Sequence, residues 1–363
     1  MTIRASAPKD DQKQEAKKPL QYVFTLNMPH LLQTLGVTLA VSTYQAHRVM
    51  MVSAAPNNRL TMWQRIFERP TGMAARGKSL AVGTKNRVWF LEPSGPVKDA
   101  QGNPLPYDLN LAPRRCQITG HIDAHEMAWI GDDLWIVNTR FSCLCTLSPR
   151  YSFVPRWKPP FVTRLVPEDR CHLNGLAADE KAVRYVTALG TTDTPEGWRS
   201  NRKQGGVILE VPSGEIVSEG ICMAHSPRLY EGNLYVLESG TGELQQVDLS
   251  TGRRNSLYGF PGYVRGLSFY KGYAFVGLSK IRERRTFGDL PIEKKAEELS
   301  CGVYVYELAT GEQLAFLRFT EGVTEIFDVQ VLPEVRQPHL VGLKDEGLDN
   351  LFVLPDETES SVP

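Results

Sequence analysis

The chain has 363 residues, of which 42% are hydrophobic and 23% are charged, enough apolar material for one large core or two ordinary ones. Its 41 basic and 41 acidic side chains give no net charge, which argues against a nucleic-acid partner or an anionic membrane, because both favour a strongly basic surface. The start of the chain lacks an apolar run of signal-peptide length, and no later run is long enough to span a bilayer. We therefore expect a soluble protein of the bacterial cytoplasm.

Both ends of the chain are polar. Residues 1–20 are rich in Lys, Gln and Asp, and residues 356–363 read "DETESSVP", so both segments are predicted to be disordered tails. Between them we expect a single domain over 21–355. The six cysteines form no C-x-x-C pair, which indicates neither a zinc ribbon nor a disulfide scaffold.

The first part of the domain predicts one partly helical segment and three strands. Residues 22–35 are read as partly helical, and 36–68, "GVTLAVSTYQAHRVMMVSAAPNNRLTMWQRIFE", alternate between apolar and polar residues as strands do. This stretch has no clear inner strand of its own. A strand near residue 328 is predicted to complete it.

A unit of similar sequence then recurs along the chain. "HEMAWIGDDLWIV" at 125 and "HSPRLYEGNLYVL" at 225 share a histidine, a large apolar residue, a Gly-containing turn and an alternating strand, and "HLNGLAADEKAVRYV" at 172 is aligned with them. Further units start at 71, 265 and 328. Their spacing of roughly 40 to 60 residues is typical of one four-stranded propeller blade.

The predicted fold is an all-β, six-bladed β-propeller closed by strands from both chain ends. Seven blades stay open as an alternative if the region around His30 forms an inner strand. A pair of β-sandwiches would explain the strands, but it would not explain why the repeat units share the same order of residues.

The first strand of each blade lines the channel of a propeller, so the aligned first residues of the units should meet at one end of it. These six residues are Thr71, His125, His172, His225, Arg265 and Asp328. Three neutral imidazoles in one ring predict a metal site, with iron or copper favoured and zinc or manganese as alternatives. A ring that only binds water and satisfies strand ends is the competing interpretation.

The neighbours of these histidines are candidates for chemistry and binding. Arg265 would hold a carboxylate or phosphate of the substrate during catalysis. Asp328 would be a fourth metal ligand or orient one imidazole, and it is also a candidate for transferring protons in catalysis. Glu126, next to His125, is a candidate general base.

Two insertions interrupt the repeats. The first, 192–206, carries Trp198 and Arg199, which with Asn174 are candidates for binding a substrate. The second, 279–298, carries a basic cluster and a helical latter part. Solvated surface loops are the alternative for both.

Several stretches resemble a bacterial family of uncharacterised proteins. They include "LAVSTYQAHRV", "FSCLCTLSPRYSFVPRWKPPFVTRLVPEDRCHLNGLA", "PEGWRSNRKQGG" and "MAHSPRLYEGNLYVLESGTGEL", and the resemblance covers nearly all of residues 22 to 355. It implies a domain of unknown function with a propeller fold and carries no catalytic residues. The chain is similar to gluconolactonases and to carotenoid-cleaving oxygenases in architecture only, and fold alone does not fix function.

These observations lead to two competing hypotheses for the function. The first is a metal-dependent enzyme that acts on a small anionic molecule or a peptide, with oxidation favoured over metal-assisted hydrolysis or elimination. The second is a binding or scaffold propeller without catalysis. Metal content after purification separates them.

Overall fold

The computed structural model describes residues 20–97, 101–280, 288–343, 348–349 and 351–354. Both predicted tails lie outside these residues, apart from Leu20. The described strands form six separate sheets of four or five strands each, which confirms the all-β propeller with six blades. A seventh blade does not form around His30, because that residue lies in a helix.

Each blade is an antiparallel meander whose first strand faces the channel. Blade 1 contains β25 (Asp328–Pro333), β2 (Val37–Thr43), β3 (Arg48–Ala55) and β4 (Arg59–Ile66). Blade 2 contains β5 (Met73–Arg76), β6 (Ser79–Gly83), β7 (Arg87–Pro93), β8 (Leu109–Ile118) and the parallel strand β26 (Pro338–Leu340). Blade 3 contains β9 (Ala124–Ile130), β10 (Asp133–Asn138), β11 (Cys143–Thr146) and β12 (Val154–Trp157).

The other three blades follow the same order from the channel outward. Blade 4 contains β13 (Leu173–Ala178), β14 (Val183–Ala188), β15 (Gly206–Glu210) and β16 (Ile216–Ile221). Blade 5 contains β17 (Ala224–Tyr230), β18 (Asn233–Glu238), β19 (Glu243–Val247) and β20 (Arg254–Gly259). Blade 6 contains β21 (Tyr263–Tyr270), β22 (Tyr273–Ser279), β23 (Cys301–Glu307), β24 (Glu312–Glu321) and β1 (Gln21–Phe24).

The ring closes through strands from both parts of the chain, as predicted. Each inner strand contacts the inner strand of the next blade, and β25 contacts both β21 and β5, so the circle is complete. β25 pairs with β2 from Val37↔Pro333 to Ser42↔Asp328 without a bulge. At the outer edge of blade 6, β1 pairs antiparallel with β24 as the fifth strand of that sheet. In a propeller closed in this way, the strand edges that stay free are short and protected.

The helix α1 (Asn27–Leu35) joins blade 6 to blade 1. Its buried face, Met28, Leu32 and Leu35, packs in the hydrophobic cluster shared with β2, β3 and β24. The helix ends at Gly36, whose φ of 66° is the left-handed conformation that glycine adopts without steric cost. The prediction of a partly helical segment over 22–35 is confirmed.

Four side-chain hydroxyls fasten neighbouring blades at one end of the channel. Each lies at the end of a second strand, or just beyond it, and donates to a backbone carbonyl in or just before the inner strand of the next blade. The four pairs are Ser42 with Thr71, Thr139 with Leu173, Ser239 with Val264, and Ser279 with Ile326. These bonds fix the backbone at the channel end that carries the histidines.

The two insertions pack against each other. Each contains a 3-10 helix, Gly197–Asn201 in the first and Pro291–Glu298 in the second. Arg202 donates to the carbonyl oxygen of Gly288 at 2.8 Å, and Trp198 shares one buried apolar cluster with Leu290, Ile292 and Leu299. We call residues 190–205 and 288–299 together the cap. The part of 279–298 that carries the basic cluster falls largely outside the described residues.

In the described ranges, no helix combines the length and the apolar composition that crossing a bilayer requires.

Candidate functional site

The predicted alignment of His172 with the other two histidines is wrong by two residues. Ala124 pairs with Asn138 and Ala224 pairs with Glu238, each at the start of its blade, and the matching pair in blade 4 is Leu173↔Ala188. The residue that follows Leu173 is Asn174. Asn174 therefore occupies the position that His125 and His225 hold in blades 3 and 5.

His172 instead corresponds to the residues that precede those inner strands. Asp123, His172 and Met223 all have a left-handed backbone, with φ values of 53°, 49° and 60°. Leu189 donates its backbone N–H to the carbonyl oxygen of His172, as Ser239 does to Met223. The register of the strands in a blade depends on which backbone groups pair, and an alignment of residue types in the sequence could not reveal that pairing.

The imidazole of His125 is held in one orientation. Its Nδ1 lies 3.1 Å from the carbonyl oxygen of Asp123 and 2.8 Å from Oγ1 of Thr139. Because the Thr139 hydroxyl donates to the carbonyl of Leu173, its oxygen accepts from the ring. Nδ1 therefore carries the proton, and Nε2 keeps a lone pair.

His225 repeats this arrangement two blades further on. Its Nδ1 lies 3.0 Å from the carbonyl oxygen of Met223 and 3.1 Å from Oγ of Ser239. The Ser239 hydroxyl donates to the carbonyl of Val264, so here too the ring nitrogen is the donor. The same residue type in the same surroundings confirms that these two blades are in phase.

Both of these imidazoles are neutral at physiological pH. Burial and the nearby charge of Arg265 hold the pKa of His125 well below its usual range. The same two causes lower the pKa of His225 to about 3, against the weaker effect of its hydrogen bond to Met223. Neutral imidazoles with a free lone pair accept hydrogen bonds or bind metals, and they are poor general acids.

His172 reaches the same place from a different backbone position. Its ring centroid lies 4.8 Å from that of His125, with the ring planes 86° apart. Its Nδ1 lies 2.9 Å and 3.1 Å from the two carboxylate oxygens of Asp169. Asp169 was missed in the sequence, because nothing in "PEDRCHL" marks a carboxylate three residues before a histidine as its partner.

Arg265 supplies positive charge at this end of the channel. Its guanidinium carbon lies 3.3 Å from the ring centroid of Phe327. A cavity of about 20 Å³ beside it has room for one water-sized group. The cavity is lined by His225, Ser239, Tyr263, Arg265, Ser279, Lys280 and Glu325.

Asp123 is a second carboxyl group at the channel mouth. Its Oδ1 lies 3.7 Å from Nδ1 of His125. Burial and the charge of Asp169 raise its pKa, while His172 and Arg265 act in the opposite direction. The walls of the channel displace bulk water around this carboxyl group, although 31% of its side chain is accessible.

Glu126 and Asp328, predicted to act in catalysis, lie in a separate cluster around Arg228. The guanidinium group donates to Glu126 at 2.7 Å and lies 4.0 Å from Asp328. Glu126 also accepts the backbone N–H of Leu176, and Asp328 accepts that of Met73. These three side chains join blades 1, 3 and 5 across the channel.

The pKa of Asp328 is raised to about 6 despite this cation. Burial is the largest cause, and the charge of Glu126 adds to it. Sequence reasoning missed Arg228, although a cation three residues after His225 in an inner strand needs a buried partner.

The three predicted substrate-binding residues have different surroundings. Asn174 is buried, donates to the carbonyl of Ala224 and accepts from Thr187, so it joins blades 4 and 5. Arg199 pairs with Glu196 and lies over the ring of Trp198. Trp198 is buried in the cap with its ring centroid 4.4 Å from that of His172.

No group of three or more His, Cys, Asp or Glu side chains is arranged to hold a metal ion in the part of the chain that the structure describes. The predicted metal and its ligands His125, His172 and His225 stay a prediction.

Comparison with known proteins identifies the family. A family model described as a domain of unknown function (DUF4915) matches residues 26–341. The chain belongs to this family. No curated protein matches it. Among solved structures, a crystal structure of a nidogen/laminin complex is 12% identical, with a TM-score of 0.50 over 82% of this chain and 99% of that chain. At this identity the likeness extends to the propeller fold alone.

Proposed function

We propose that the protein is an enzyme that acts on a small anionic molecule at the channel mouth. In this proposal Arg265 binds the anionic group of the substrate, and His172 accepts a proton from the substrate or from water. The observation that carries the proposal is the pairing of His172 Nδ1 with the carboxylate of Asp169, next to His125, whose ring contacts the same Phe327 as the guanidinium group of Arg265.

The pairing favours proton acceptance at the opposite ring nitrogen. With its Nδ1–H directed at Asp169, His172 keeps a lone pair on Nε2, and the carboxylate stabilises the imidazolium ion that forms when Nε2 takes up a proton. His172 has 15% of its side chain exposed, so part of the ring is accessible. Neutral His125 and His225 would accept hydrogen bonds from hydroxyl or amino groups of the same molecule.

Arg265 defines the class of substrate. Guanidinium groups bind carboxylates and phosphates through two parallel hydrogen bonds, and the geometry is not reproduced by an ammonium group. Its positive charge acts to lower the pKa values of His125, His225 and Asp123.

Replacing Arg265 tests this assignment. We expect at least one member of a panel of small carboxylates and phosphates to bind the parent protein in saturation-transfer NMR. Its affinity should fall by roughly tenfold or more in Arg265→Leu and by less in Arg265→Lys, because a charged hydrogen bond is lost. Arg184→Leu, which removes an exposed arginine on β14, is the matched control and should bind like the parent.

Two results would contradict the proposal: a folded parent that binds no member of the panel, or equal binding by Arg265→Leu. His172→Gln keeps a polar side chain of similar length, so it should preserve binding and abolish turnover of the ligand that the panel identifies.

A transition metal at the same histidines is the second candidate, with iron or copper favoured and zinc or manganese as alternatives. The protonation of His125 and His225 at Nδ1, directed at fixed acceptors, is the pattern that metal-binding imidazoles have. This candidate would carry the oxidative chemistry predicted from the sequence.

Elemental analysis tests this candidate. A metalloprotein should contain close to one equivalent of metal and lose most of it in each of His125→Ala, His172→Ala and His225→Ala, since two ligands hold a divalent ion poorly. Less than about a tenth of an equivalent in a well-folded parent, grown with all four metals available, would rule the metal out.

A further inference from the structure

The side chain of Trp198 joins the cap to His172 and Asp169. Trp198 is buried, and its indole Nε1–H donates to Oδ2 of Asp169 at 3.1 Å. The same carboxylate oxygen lies 2.9 Å from Nδ1 of His172. Asp169 therefore receives one hydrogen bond from the cap and one from the histidine, on the same oxygen atom.

Trp198 contacts residues of both insertions as well as His172. Its ring lies 4.4 Å from the ring of His172, and the guanidinium carbon of Arg199 lies 4.4 Å from its centroid. Trp198 also belongs to one buried hydrophobic cluster with Leu290 and Ile292 of the second insertion. The position of the indole N–H is thus set by both halves of the cap.

Asp169 needs such support because of its place in the chain. It lies in the connection between β12 and β13 and has a left-handed backbone with φ of 47°. A carboxylate in a connection of this kind can rotate about its side-chain bonds unless donors fix it. The hydrogen bond from the indole N–H fixes the orientation of the Asp169 carboxylate, which accepts the hydrogen bond from the imidazole of His172.

We propose that Trp198 is a positioning residue: through Asp169 it holds His172 in the Nδ1–H tautomer and keeps the lone pair on Nε2. The two insertions thereby build the acceptor used at the channel mouth rather than forming solvated loops. The relevance to catalysis rests on the proposed function, whereas the tautomer is a property of the protein alone.

Nitrogen-15 spectra of the histidine rings test this inference without a substrate. At about pH 8.5, above the ordinary titration range of imidazole, we expect His172 of the parent to give the shifts of an Nδ1–H tautomer. Asp169→Asn should lower the ratio of Nδ1–H to Nε2–H by roughly tenfold or more, because a charged acceptor is lost. Trp198→Phe, which keeps an aromatic ring and removes only the N–H, should lower it by roughly three- to fivefold.

Two further variants separate positioning from a general loss of structure. Trp157→Phe removes an indole N–H that donates to the carbonyl of Pro212 on the outer side of blade 3, and it should leave the His172 tautomer unchanged. Leu290→Ala disturbs the packing of the cap without touching Asp169, and it should shift the ratio in the same direction as Trp198→Phe.

An unchanged His172 tautomer in folded Trp198→Phe would overturn the inference, whatever the ligand panel shows. A shifted tautomer together with a panel that binds nothing would uphold the positioning role and overturn the proposed function instead. If Trp198→Phe does not fold, Leu290→Ala decides: a tautomer equal to the parent's would overturn the inference.

Discussion

Replacing Arg228 by methionine is expected to lower the free energy of unfolding by about 3 to 5 kcal/mol at neutral pH. Methionine keeps much of the length of the side chain and removes its charge, so Glu126 and Asp328 are left buried without their cation. The hydrogen bond from Arg228 to the carbonyl of Leu267 is lost as well. Chemical denaturation measures the change, and its cooperativity shows whether the ring unfolds as one unit.

Two comparisons make the Arg228 prediction specific. The triple variant that adds Glu126→Gln and Asp328→Asn should regain much of the lost stability, because neutral groups are cheaper to bury than unpaired carboxylates. Arg184→Met, which breaks an exposed pair with Asp179, should have a much smaller effect. Equal losses in Arg228→Met and Arg184→Met would show that the cluster across the channel does not stabilise the fold.

Asp328 is expected to make the stability of the protein depend on pH in an unusual direction. Its pKa in the folded protein is about 6, above the ordinary value of 3.8, so the folded state favours the protonated carboxyl group. The stabilising contribution is complete below the ordinary value and is lost as the pH rises through 6. The stability of the parent relative to Asp328→Asn should therefore fall by roughly 2 kcal/mol between pH 4 and pH 7.

Denaturation of both proteins across that range checks the prediction, since carboxylates common to the two cancel in the difference. Asp179→Asn is a control of opposite sign. Arg184 lowers the pKa of Asp179 to about 2, so the contribution of Asp179 changes little between pH 4 and pH 7 and is lost as the pH falls from its ordinary value of 3.8 through 2. A parent that gains stability relative to Asp328→Asn as the pH rises would contradict the raised pKa.

The sequence was sufficient to predict the blades and their closure, for a physical reason. Each meander repeats a strand, a turn with a positive φ and a second strand, so turn residues and alternation mark every unit. The repeat unit that starts near residue 328 had no outer strands after it, and residues 36–68 supplied three strands but no inner strand. These two deficits predicted the pairing of β25 with β2 that closes the ring.

The candidate site could be predicted only in part. His125 and His225 were aligned correctly because their blades have turns of equal length. His172 was misplaced, because backbone pairing, and not the histidine itself, sets the register of β13. Its ring still meets that of His125, since the left-handed backbone at His172 redirects the side chain.

Contacts between distant segments could not be derived from local pattern. Arg228 meets Glu126 from a strand two blades away, and Trp198 meets Asp169 from an insertion that reads as a polar loop. Such pairs depend on how blades and insertions come together in three dimensions, and a single sequence contains no periodic signal for them.

A crystal structure of the protein soaked with the tightest-binding member of the carboxylate and phosphate panel tests the central claim most directly. The account predicts that the anionic group of the ligand makes hydrogen bonds to the guanidinium group of Arg265, and that another atom of the ligand lies within hydrogen-bond distance of Nε2 of His172. A ligand bound at the outer edges of the blades, with Arg265 and His172 contacting no part of it, would contradict the account.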